Sequence, residues 1–176
     1  MRSELEAAIR ASIRDVPDFP KPGIIFKDIT PLLADALLFQ RVTSAMAEPF
    51  SGRGVTHVVA IESRGFILGA PVAQLLGAAF VPVRKKGKLP FRTERVEYAL
   101  EYGTDSLEMH GDACPPGSTA IIVDDVLATG GTAAATCDLI ERVGARVASC
   151  VFLLELSFLR GIDKLNGREV VALARY

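Results

Sequence analysis

The chain has 176 residues, 49% of them hydrophobic, which suits one domain with an ordinary core. Charged residues make up 23% and nearly cancel, to a formal net charge of −1, so no chain-wide positive field draws it onto nucleic acid and any anion site is local. The mixed charges of Met1-Arg2-Ser3-Glu4 and apolar runs no longer than a strand argue against a signal peptide and a membrane span. Three scattered cysteines and two histidines supply neither a disulfide framework nor a zinc site, and a reducing cytoplasm is the expected compartment.

Residues 3–14 carry apolar groups at helical spacing (Leu5, Ala8, Ile9, Ile13), and Pro17, Pro20 and Pro22 stop that helix. Ile24-Ile25-Phe26 reads as a short extended piece. Thr30 before Pro31 predicts a capped helix start, with the helix running to about Pro49. Apolar, β-rich runs at 55–61, 79–83, 120–123, 146–154 and 170–173 predict strands, and 64–76 and 130–143 predict helices between them. Continuous apolar strands alternating with helices imply an α/β fold, a mainly parallel sheet flanked by helices. Residues 84–107 depart from that pattern: a Lys, Arg, Gly and Pro-rich stretch turns into the alternating run Arg95-Val96-Glu97-Tyr98-Ala99-Leu100-Glu101-Tyr102, read as a hairpin arm forming a lid.

The most informative stretch is Ala120-Ile121-Ile122-Val123-Asp124-Asp125-Val126-Leu127-Ala128-Thr129-Gly130-Gly131-Thr132: a buried strand ending in two carboxylates, a loop of small residues, then a helix start. In open α/β sheets ligands bind where strand carboxyl ends meet helix N-termini, because unpaired N–H groups and the helix dipole point there. A phosphate fits such a loop, with glycines allowing close backbone approach and Thr129 and Thr132 adding hydroxyl donors. Two acids facing a phosphate would repel it, so they serve something else, and side-by-side acceptors suit the cis-diol of a ribose. A plain turn with solvated acids is the simpler alternative, but two carboxylates directly after a buried strand are costly without partners. No Walker lysine follows the glycines, and Gly52-Arg53-Gly54 precedes a strand where a dinucleotide fingerprint follows one.

The run V-D-D-V-L-A-T-G-G-T resembles the phosphoribosyl-pyrophosphate signature of type I phosphoribosyltransferases. The resemblance implies that fold, with Asp124 and Asp125 on the ribose hydroxyls and Ala128, Thr129, Gly130, Gly131 and Thr132 around the 5′-phosphate. A second strand end, Glu62-Ser63-Arg64-Gly65, pairs a small turn with a cation; the likeness implies pyrophosphate binding there by Glu62, Ser63 and Arg64, with a cis Glu62-Ser63 peptide. Arg84-Lys85-Lys86-Gly87-Lys88 is a dense cation cluster placed after a core strand. Cations aimed at a leaving pyrophosphate lower its barrier, and Arg84 and Lys88 are the chosen candidates.

The segments Pro20–Pro31, Glu62–Phe66, Arg84–Pro90 and Leu100–Gly103 together resemble adenine phosphoribosyltransferases in family order over most of the chain. A flat purine needs an apolar face on each side: Phe26 and Val126 fit that need, with backbone of Ile25 and Lys27 at the base edge. The likeness implies residues 1–30 as a base-recognition hood on a single domain spanning 1–176, a homodimer, Mg²⁺ carried on the donor, and Glu101 beside Tyr102 at the purine's imidazole edge. Glu101, Arg64 and Asp125 are the candidate catalytic residues, and no all-protein metal site is expected. The implied reaction joins adenine to phosphoribosyl pyrophosphate, giving AMP. Two rivals are a 6-oxopurine transferase, for which the Lys27 side chain is the candidate donor, and a ligand-binding regulator on the same fold, which would need a basic nucleic-acid module that this charge and length do not provide.

Overall fold

The computed structural model describes residues 2–99 and 104–176. Helix α1 (Arg2–Ser12) is followed by two short strands, β1 (Arg14–Val16) and β2 (Phe26–Asp28), paired antiparallel with Asp15 opposite Lys27. The expected extended piece therefore begins two residues later than read, and β1 was not anticipated: three residues carry no periodic signal, and their pairing is with a segment beyond the prolines. A single helix from Thr30 to Pro49 is replaced by α2 (Thr30–Ala34) and α3 (Ala36–Ala47), then a 3₁₀ turn at Glu48–Phe50. The break is at Asp35, which takes an extended conformation and accepts hydrogen bonds from Leu37 N and Leu38 N, so its carboxylate caps α3. Thr30 does not act as a cap; Asp28 accepts from its backbone N at 2.9 Å and from its hydroxyl at 2.8 Å.

The body is one sheet built from β3 (His57–Ile61), β4 (Ala79–Lys85), β5 (Thr93–Ala99), β6 (Thr104–His110), β7 (Thr119–Leu127), β8 (Arg146–Glu155) and β9 (Val170–Arg175), with α4 (Arg64–Leu76) after β3 and α5 (Gly131–Arg142) after β7. Its order is β5-β6-β4-β3-β7-β8-β9. The strands from β4 to β9 across that order run parallel, while β5 and β6 form an antiparallel hairpin joined to β4 through Arg84 opposite Glu108 and Lys85 opposite Leu107. The sheet is thus mainly parallel, and the irregular arm of the sequence adds its antiparallel edge.

The apolar strands are buried because both faces are covered. On one face α5 and the hairpin enclose Val59, Ile61, Ile122, Leu139 and Phe152; on the other α1, α3 and α4 enclose Ile9, Val42, Leu68, Ile121 and Leu153. Close packing of α4 on β3 depends on Gly69, where a Cβ would lie 2.6 Å from the Ala60 Cβ. Among the described residues no helix is long and apolar enough to cross a membrane. The chain runs from β3 to β4 on one side and returns to β7 on the other, so the strand order reverses between β3 and β7, the position where open α/β sheets leave a crevice beyond their carboxyl ends.

Candidate functional site

A cleft of about 590 Å³ opens at that reversal. Its floor is Asp124, Asp125 and Val126 of β7 with Ala128 beyond; one wall is Ile61, Glu62, Ser63 and Arg64, and another is Ile24, Ile25, Phe26 and Lys27. A smaller recess of about 80 Å³ adjoins it, lined by Thr129, Gly130, Thr132 and Ala133 together with Asp124 and Phe152. Gly131 is the first residue of α5. The strand was expected to end at the acid pair, but β7 continues through both acids to Leu127, paired with β8 as far as Leu127 opposite Glu155. Sheet hydrogen bonds therefore hold the backbone beneath the acids.

The two acids live in different surroundings. Asp125 is 5% exposed and forms an ion pair with Nε of Arg64, the first residue of α4. Asp124 accepts a 2.9 Å hydrogen bond from Asp125 N, and burial, then the adjacent Asp125 charge, push its carboxyl well above the ordinary carboxylate range. Its Oδ1 lies where a side chain on Gly65 would go, 2.9 Å from the position of a Cβ there. A ligand that brings hydroxyl donors or positive charge relieves Asp124 of that penalty.

The Glu62-Ser63 peptide is cis. Glu62 gathers the basic cluster: it accepts from Lys88 Nζ at 2.6 Å, Arg84 Nη2 at 3.1 Å and Lys85 N at 3.3 Å. Arg84 and Lys88 do not line the cleft themselves; they meet it through Glu62, and Lys85, ion-paired to Asp105 at 3.1 Å, is the cation of that run on the cleft wall. Burial pushes the Glu62 carboxyl up, but the hydrogen bonds from Arg84, Lys88 and Lys85 N outweigh it and hold the pKa at about 2 against an ordinary 4.5. A carboxyl lowered on folding contributes stability above its unfolded pKa and loses it as pH falls. Chemical denaturation should therefore find the advantage of the wild-type chain over Glu62→Gln present above about pH 4.5 and shrinking as the pH approaches about 2; an advantage unchanged across that window would refute the network.

At the opposite wall the Phe26 ring is 5.0 Å from the Arg64 guanidinium carbon and edge-on to Phe19 at 5.1 Å. Lys27 lines the cleft, yet its ammonium is bound to Asp15 Oδ1 at 2.7 Å and lies 4.3 Å from the Tyr176 ring centroid. Glu101 and Tyr102 lie outside the described residues.

Several cleft residues went unread in the sequence. Tyr98 and Asp105 of the hairpin face the cleft, and the Tyr98 hydroxyl is 3.4 Å from that of Thr132. Leu156 and Leu159 close the apolar end beside Ile24 and Ile25. Gly161 braces the small recess: a Cβ on it would sit 2.1 Å from Ala128 O, and one on Gly130 would sit 2.1 Å from Gly161 O. The strand-end rule that located the acid loop also covers the end of β8, where Leu156, Leu159 and Gly161 follow, and was the available signal.

This geometry can hold a small anion in the recess, hydroxyls at the acids, and a flat apolar group between Phe26, Ile25, Val126 and Leu159. The family described as the phosphoribosyl transferase domain matches residues 29–171. The chain is similar to an adenine phosphoribosyltransferase of Myxococcus xanthus, 55% identical over 98% of this chain and 94% of that protein. The crystal structure of adenine phosphoribosyltransferase from Rhodothermus marinus superposes with a TM-score of 0.95 at 51% identity, over 99% of both chains. That of the Saccharomyces cerevisiae enzyme, complexed with an imino-altritol bisphosphate and adenine, gives 0.92 at 39% identity, over 97% of this chain and 99% of that one.

Proposed function

The chain belongs to the adenine phosphoribosyltransferases, purine pentosyltransferases of the type I fold, and from that premise we propose that its cleft transfers the phosphoribosyl group of phosphoribosyl pyrophosphate to adenine, giving AMP and pyrophosphate. The observation that carries the reading is the joining, at one crevice, of the anion recess at Thr129–Thr132, the acid pair of β7 and the apolar slot at Phe26.

In this mechanism Ala128, Thr129, Gly130, Gly131 and Thr132 hold the 5′-phosphate with hydroxyls and the N-terminal end of α5. Asp124 and Asp125 take the ribose diol. The bond from the anomeric carbon to pyrophosphate breaks as the adenine nitrogen attacks, and positive charge grows on the sugar between them. Asp125 opposes that charge. The Glu62-Ser63-Arg64 turn holds the departing pyrophosphate, with the Glu62 carboxylate turned to Arg84 and Lys88, and a cation fixed in advance needs no reorganisation as negative charge develops. Mg²⁺ would be carried by the donor's own oxygens, beside Asp124 and Asp125, and would supply charge neutralisation for the pyrophosphate. Phe26 and Val126 flank the base, backbone of Ile25 and Lys27 reads its edge, and Glu101 beside Tyr102 balances charge at the imidazole edge or takes and relays the proton that the purine nitrogen gives up as its bond to the ribose carbon forms.

Adenine is favoured over 6-oxopurines by the disposition of Lys27. A 6-oxo group calls for a donor at the base edge, and the Lys27 side chain is spent on Asp15 and Tyr176, on the opposite side of its strand from Phe26. Steady-state turnover with adenine, hypoxanthine and guanine tests this: adenine is expected to dominate, and comparable kcat/KM with hypoxanthine would overturn it.

Two further readings accompany the reaction. A homodimer is supported by the apolar side chains Ile67, Leu75 and Phe80, which α4 and β4 leave exposed at 44%, 57% and 38%. Light scattering on the eluting protein should give twice 18.8 kDa, and a monomer mass would reject it. A reducing cytoplasm is supported by Cys114, Cys137 and Cys150, all free thiols.

A further inference from the structure

We infer that Tyr176 is a positioning residue for base recognition, holding strand β2 in place from behind without touching the base. The inference rests on adenine being the base bound beside Phe26.

β2 is three residues long, and its sheet partner β1 is also three residues long. A two-stranded ribbon of that size does not hold its own shape in water, so its position is set by what grips it. Side chains alternate along a strand, which sends Phe26 to one side of β2 and Lys27 to the other. On the cleft side Phe26 meets Arg64; on the far side Lys27, 14% exposed, is caught between Asp15 and the Tyr176 ring.

Tyr176 is itself fixed. Its N–H donates to Glu155 O at 2.8 Å and its backbone O accepts from Ser157 N at 2.8 Å, which ties it to the residues on either side of the cleft residue Leu156, at the exit of β8. The same ring also receives Arg10 of α1, whose guanidinium carbon is 4.7 Å from the centroid and whose Nη2 donates to Arg175 O. One aromatic ring thus meets cations from α1 and from β2 and refers both to the chain that leaves β8 for Leu156 and Leu159. Burial leads the influences on the ring's hydroxyl and raises its pKa, so the ring is neutral and presents its full π face near pH 7.

If the ring sets the height of the 25–27 backbone, its loss weakens the base and spares the donor, which is held at the other end of the cleft. The experiment is steady-state kinetics with both substrates varied, on the wild-type chain and on Tyr176→Ala, Tyr176→Leu and Tyr176→Phe. The expected result is a rise of about tenfold in KM for adenine in the Ala and Leu variants, with KM for phosphoribosyl pyrophosphate within about twofold, and recovery in the Phe variant. The Leu variant preserves apolar packing without a ring, so it carries the test if the Ala variant fails to fold. Equal rises in both KM values, an unchanged adenine KM, or failure of Phe to restore it overturns the inference. Wild-type protein that does not turn over adenine would sink the functional reading beneath it; wild-type turnover with indifferent variants sinks the positioning role alone.

Discussion

Asp125→Asn is expected to lower turnover by about two to three orders of magnitude while leaving the melting temperature nearly unmoved. The side chain keeps its shape, and the backbone of β7 stays paired to β8 on one side, so little in the fold depends on the lost charge. Its partner Arg64 is 39% exposed and can be solvated when the carboxylate goes, which keeps the structural penalty near that of a surface pair, up to about 1 kcal/mol. Chemistry has no such substitute. In the proposed reaction a carboxylate at 5% exposure would act on the nascent sugar cation with little water between them, where an amide would offer only a dipole. Initial-rate assays alongside thermal melts separate the two effects; a variant retaining more than about a third of wild-type turnover would remove the residue from the chemistry.

Gly161→Ala should be nearly as damaging although the residue touches no expected ligand atom. The added methyl would sit 2.1 Å from Ala128 O and 2.9 Å from Gly130 N, both backbone, so no side chain can rotate to make room. The loop that shapes the small recess must move instead. A displacement of about 1 Å at such a position costs on the order of 10²-fold, here in kcat/KM for phosphoribosyl pyrophosphate, with a stability loss of about 1–3 kcal/mol. Gly54→Ala makes a useful comparison: it has a left-handed φ of +71° and open space around its Cβ, so it carries backbone strain without collision. If Gly54→Ala impaired the donor's kcat/KM as much as Gly161→Ala, or if Gly161→Ala were harmless, the brace between the two glycine segments would be disproved.

What could be read from the sequence was whatever lay contiguous in it. The acid pair with its glycine loop and the Glu62–Arg64 turn each occupy one short run of sequence, so their place at the cleft was legible there, and continuous apolar runs announced a sheet covered on both faces. Features that depend on encounters between distant segments were hidden. Asp35 in an apolar-periodic stretch looks like one polar position on a helix until its carboxylate is seen bonded to Leu37 N and Leu38 N. Arg84 and Lys88 form a plausible ligand cluster on paper, and only the parallel pairing of β3 with β4 reveals that Glu62 captures them. Lys27 belongs to the segment proposed to bind the base, yet its side chain answers to Asp15 and Tyr176.

The side-by-side placement of β3 and β7 makes the crevice a seam between halves of the chain that are made at different times, since Glu62 and Asp124 rise from neighbouring strands though a helix, a strand and a hairpin separate them in order of synthesis. A donor bound as proposed would straddle that seam and stitch the middle of the sheet together, so protection from proteolysis by added phosphoribosyl pyrophosphate should arrive across the whole body at once and not spread outward from one lobe.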